Sequence, residues 1–209
     1  MKNLFLFTLA ATLLTACSHP DPNKQVDEGT VKGGTYHCNE IGWTIDIPND
    51  WTITTKDKID ELDQKGKDAI EKTSNNSVDT SGLRHLINFQ KDPFNMFSST
   101  AQAFKEDSAG QYQQENKAIY ALLYETFAAQ GIKADTASGR ETVQGMEFNT
   151  FKADIHGPNG DVIVHEMMYS RLINGYDFGV NINYNNDDDK KIMLDAFKNS
   201  KFDKNYPVR

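Results

Sequence analysis

Apolar and polar residues along this chain follow two periods, and the switches between them mark the elements. Trp43, Ile45 and Ile47 alternate with Thr44 and Asp46, and beyond Pro48-Asn49-Asp50 the alternation resumes at Trp51 and Ile53. A period of two is that of a half-buried strand, so two short strands flanking a turn are predicted. Thr54 and Asp57 have the spacing of a capping box, and Ile59, Leu62, Gly66, Ala69 and Ile70 recur at helical spacing through Lys72. Residues 73–82 read as loop. Residues 83–90 read as a strand with Leu83, His85, Ile87 and Phe89 on one face, and residues 99–105 as a weaker strand. A second helix is predicted over 112–130, with Tyr112, Ile119, Tyr120, Leu123 and Phe127 on its buried stripe and Gly131 at its C-terminal end.

The remainder alternates as strands. Short ones are predicted over 132–136 and 140–143, then a hairpin pairs 148–156 with 162–172 about Asn159-Gly160. With those two as loop residues, Asp154 falls opposite His165. Phe151, Ala153, Ile155, Val164 and Met168 then share a core face, while Thr150, Lys152, Asp154, His156, His165, Met167, Tyr169 and Arg171 face water or a partner. After Asn174-Gly175, residues 176–184 form the cleanest amphipathic strand. Ile192, Met193, Ala196 and Phe197 make a last helix with Asp187, Asp188 and Asp189 in its first turn. Many adjacent strands and two-faced helices predict an α+β domain, an antiparallel sheet flanked by helices.

The N-terminus changes the picture. Residues 1–16 carry Lys2 and then an apolar run from Leu4 to Ala16, too short for the roughly 20 residues of a membrane span and suited to an export signal. Leu14-Thr15-Ala16-Cys17 resembles the lipobox of bacterial lipoproteins. That resemblance implies cleavage before Cys17, acylation of its sulfur and new amine, and anchoring through several chains. Ser18 in place of Asp implies an outer-membrane address by the enteric convention. Residues 18–34 are polar, with two prolines and three glycines, and read as a flexible tether. The expected organisation is therefore a signal over 1–16, acylated Cys17 and tether over 17–34, and one α+β domain over 35–209.

Composition narrows the function. The 209 residues hold 22 Lys and Arg against 30 Asp and Glu, a formal net charge of −8, with no basic stripe or tail to displace counterions from nucleic acid. With Cys17 acylated, Cys38 has no intrachain partner for a disulfide, and it reads as a buried inert thiol. There is no G-x-S-x-G, H-E-x-x-H, Walker or dinucleotide motif, so an enzyme is not expected and no cofactor is implied. The sharpest candidate site is Asp154 opposite His165 with His156 nearby, two imidazoles and a carboxylate that suit a divalent metal, against the plainer reading of a solvent-facing cross-strand pair. The three aspartates lack calcium-loop spacing and read as helix-capping acids. His85 reads as a hydrogen-bonded core histidine, and Tyr124 and Tyr169 as exposed aromatics able to meet a partner.

Gly42-Trp43-Thr44-Ile45-Asp46-Ile47-Pro48-Asn49-Asp50-Trp51 resembles the opening of PsbP-like and DcrB-like domains, and Ser200-Lys201-Phe202 is similar to their close. The resemblance implies an antiparallel sheet between helices with a long central helix. It also implies the role of a binding or assembly module, as in photosystem extrinsic subunits, a Ran-binding transport protein and envelope lipoproteins. It supplies no catalytic residue, and Gly42, Trp43, Pro48 and Trp51 look structural. The expectation is a lipid-anchored envelope protein that binds a protein partner, with a small-ligand or metal carrier as the alternative and an unrecognised hydrolase behind both.

Overall fold

The computed structural model describes residues 20–203. Cys17 and the preceding signal lie outside the described residues. In chain order the elements are β1 Thr30–Lys32, β2 Thr35–Cys38, β3 Trp43–Asp46, β4 Thr52–Ile53, α1 Lys56–Ser74, β5 Leu83–His85, β6 Phe89–Asp92, β7 Asn95–Ala103, α2 Gln111–Ala129, β8 Ala134–Val143, β9 Met146–His156, β10 Val162–Ile173, β11 Tyr176–Tyr184, α3 Asp187–Asn199 and β12 Lys201–Phe202. Every pairing is antiparallel. A four-stranded sheet runs β1-β2-β3-β12, and an eight-stranded sheet runs β4-β6-β7-β11-β10-β9-β8 with β5 joined to β7.

The two sheets and α3 enclose the main core. Trp43 meets Phe178 edge-on at 4.9 Å, and Phe197 meets both Phe148 and Tyr169. These side chains are at most 1% exposed, and each buried aromatic contributes roughly 1.5–3 kcal/mol of transfer free energy. The indole N–H of Trp43 donates to Ser200 Oγ at 2.9 Å, so the core's largest side chain has its polar atom satisfied. The opposite face of the large sheet carries α2, through Tyr120 stacked on Phe151 at 5.0 Å and the Tyr112 hydroxyl bonded to Asp177. Helix α1 packs beside α2.

Several expectations change. The strands around Pro48-Asn49-Asp50 are not a hairpin: β3 belongs to the small sheet and β4 to the large one, and the turn carries the chain between them. The N-cap of α1 is Thr55, which makes no side-chain cap bond; the Lys56 N–H is instead met by Gln25 Oε1. Gln25 belongs to the segment expected as tether. From Pro22 that segment is structured: Asn23 bonds both backbone groups of Val31, Asp27 accepts from His85 N–H, Glu28 pairs with Arg84, and β1 extends the small sheet. Its polar residues bond to the domain.

Residues 83–90 are two strands, β5 and β6, separated by a break at 86–88 where Leu86 and Ile87 are both fully buried. Ser99 Oγ and Asn88 Oδ1 satisfy the backbone at that break. The two short strands after α2 fuse into β8, ten residues paired without interruption to β9. The hairpin has the expected Asp154–His165 register, but both faces are covered at its centre. Met167, Tyr169 and Thr150, expected to face water, lie in the core between the sheets, while Phe151 and Ala153 are buried on the α2 side.

Candidate functional site

The hairpin end holds the residues predicted as a site. Asp154 Oδ1 is 2.6 Å from His165 Nδ1. Asp135 on β8 lies opposite Asp154, and Tyr184 on β11 lies opposite His165, so the four form one row across four strands. The His165 ring stacks on Tyr184 at 4.7 Å, and the Lys190 ammonium of α3 sits 4.9 Å from the same tyrosine ring.

His156 does not join the Asp154–His165 pair. Its Nδ1 meets the Gly160 carbonyl at 2.8 Å and its Nε2 meets Asp135 at 2.7 Å. Two acceptors favour an imidazolium that donates from both nitrogens, and the Gly160 carbonyl first, then Asp135, raise its pKa above the ordinary histidine value. The expected trio is thus split between two pairs. Among the described residues no three His, Cys, Asp or Glu side chains are placed to hold a metal ion.

Other titratable groups also have structural assignments. His85 Nε2 reaches Asp63 of α1 at 2.6 Å. Asp189 accepts from Lys91 at 2.8 Å while its own N–H is capped by Asn186, which gives the third acid of the first turn of α3 a structural role. Cys38 is buried and free, and burial pushes its thiol up, away from the reactive thiolate. Tyr169 is 1% exposed and donates to Glu141, so it is not the exposed aromatic expected, whereas Tyr124 is 53% exposed.

Beneath α2 lies a polar layer. Ser170 Oγ donates to Asn116, the Tyr120 hydroxyl is 3.3 Å from the same serine, and Tyr112 donates to Asp177 at 2.7 Å. Burial raises the Asp177 carboxyl against the lowering effect of the Tyr112 bond. Glu166 is on an interior strand; burial raises its pKa while the Asn181 amide donates to it at 2.8 Å.

Beside this layer, α2 and the β8–β9 ribbon enclose an open groove of about 550 Å³. Its floor includes Phe151, Tyr120 and Asn149; Lys117, Ala121 and Tyr124 line the helix side, and Thr136, Ser138 and Arg140 line the β8 side. Arg140 pairs with Glu147. Lys117, Tyr120 and Arg140 carry no local motif, and only the assembled sheet and helix bring them together. A second trough of about 790 Å³, lined by Thr44, Asp46, Asn49, Asp195 and Asn199, separates the small sheet from α3.

No protein-family model matches the chain, and no curated protein matches it. Among solved structures it is similar to the solution structure of cyanobacterial PsbP (CyanoP) from Synechocystis sp. PCC 6803, with 12% sequence identity and a TM-score of 0.53 over 84% of this chain and 98% of that one. The expected α+β, PsbP-like fold is therefore the observed one, and at that identity the likeness is one of fold.

Proposed function

We propose that this chain is a lipid-anchored cell-envelope protein, addressed to the outer membrane, whose domain binds another protein as a non-enzymatic accessory module. The open groove between α2 and the β8–β9 ribbon, with the exposed ring of Tyr124 on its rim, carries the binding half of the reading. Asp154, His156 and His165 then serve as cross-strand pairs that fix the hairpin tip. Leu14-Thr15-Ala16-Cys17 supports the anchor, and the likeness of the opening motif to DcrB-like lipoprotein domains agrees with it.

The anchor is tested by labelling cells with a clickable fatty acid. Full-length protein is expected to carry label and remain with membranes, and Cys17→Ser to lose both; an acylated Cys17→Ser protein would exclude this anchor. The binding half is tested by crosslinking and purification from native membranes. A stoichiometric protein, retained when His156 and His165 are both changed to alanine, is expected. A bound metal or small molecule that depends on those histidines, with no protein, would replace this reading with the carrier.

A further inference from the structure

We infer that β8 is the docking edge for an extended segment of a partner protein that bears acidic side chains. The inference deepens the binding reading above and rests on it. β8 is the outermost strand of the large sheet, ten residues long, and its pairing with β9 has neither bulge nor proline. Folded proteins usually blunt such an edge, because its unpaired backbone groups template another strand. Here residues 135–140 are all exposed.

The ladder shows which groups are free. His156 N–H donates to the Lys133 carbonyl, so Lys133 and the alternate residues after it direct their backbone groups toward β9. Thr136, Ser138 and Arg140, on the other alternation, direct theirs outward. The same three residues line the groove beneath α2. An added antiparallel or parallel strand would bond to their backbone and send every second side chain toward the groove mouth, the mode of recognition in which main-chain bonds give affinity and pockets give choice.

Charge selects the occupant. Among the described residues Lys117, on the helix side, forms no ion pair with a carboxylate, whereas Arg140 is already paired with Glu147. A strand with an acidic residue at a groove-facing position supplies the missing partner. A second copy of β8 does not: its groove-facing residues Ala134, Thr136, Ser138, Arg140 and Thr142 include no carboxylate and would bring a cation instead.

The test places a photoreactive amino acid at Thr136 in the full-length protein in native membranes, with a second placement at Asp188 on α3 as control. Crosslinks from position 136 are expected to map to one acid-bearing segment of another protein, with at least a tenfold excess over the control. Ser138→Pro removes an outward N–H and no ladder bond, so it is expected to cut the yield about tenfold while leaving the unfolding midpoint close to the parent. Lys117→Glu, which leaves the edge intact, is expected to lower it several-fold. Crosslinks to a second copy or to lipid, or a yield insensitive to both substitutions, would overturn the inference. A stoichiometric complex that never crosslinks from β8 would refute this docking edge and leave the binding function standing, whereas no complex at all would remove both.

Discussion

At the scale of the residue, the fold depends on polar atoms satisfied inside an aromatic core. Ser200 Oγ accepts from Trp43 and donates to the Phe197 carbonyl, linking β3 to the end of α3. Ser200→Ala strands the indole N–H in the core and is expected to cost about 1–3 kcal/mol in denaturant unfolding, with the fold retained. Glu166 gives a pH signature. Burial raises its carboxyl pKa, so the native state still holds the proton at pH values where the unfolded chain has released it. Stability from this group therefore falls as pH rises above the ordinary glutamate range. Glu166→Gln is expected to match the parent at about pH 3, where the carboxyl is protonated in both states, and to unfold at a higher denaturant midpoint at about pH 7. A midpoint difference that shrinks with rising pH would contradict this assignment. The Asp154–His165 pair was legible from an assumed two-residue Asn159-Gly160 loop, but the structure reaches it differently: Val162 pairs with His156 one position out of that register, and a bulge before Val164 restores it. The partner of His156 was not, because Asp135 lies on a strand joined to β9 by Gln144-Gly145. Both residues of that turn have positive φ, a tight-hairpin geometry that asparagine signals more strongly than glutamine.

At the scale of the element, long amphipathic strands and the acidic start of α3 were readable, and the short or doubly covered segments were not. β11 shows strict alternation because its core face packs on Trp43 and its other face meets a polar layer. β10 is covered on both faces, so its polar residues suggested a wet face that the fold places around Tyr169. Helix α1 shows the weakest packing: Ile59 is its only buried residue, and Gly66 sits in its interior with open space where a side chain would go. Gly66→Ala is expected to raise stability by about 0.5–1 kcal/mol in thermal or denaturant unfolding, since it removes backbone entropy from the unfolded chain without a clash. Asn186 supplies the N-cap of α3 by accepting from Asp189 N–H at 2.9 Å. Asn186→Ala is expected to cost about 0.5–2 kcal/mol by the same measurement.

At the scale of the whole molecule, the structured segment from Pro22 places the domain only a few residues beyond Cys17, so an anchored protein would sit close to its membrane with limited reach. The large sheet is shielded on one face by the small sheet and α3 and partly on the other by α2; of its two edges, β8 with ten residues is far longer than β4 with two, and it borders the groove. The overall α+β organisation could be read from periodicity, but not this edge: residues 134–143 show little hydrophobic pattern, because an exposed outer strand buries little on either face. On the proposed function, the anchored domain works by docking a partner there. Amide hydrogen exchange of the full-length protein, in native membranes and after purification into nanodiscs, tests it most directly. Slower exchange in native membranes is expected at Thr136, Ser138 and Arg140, with α3 unchanged; equal exchange along β8 in both settings, or protection confined to another surface, would contradict docking at this edge.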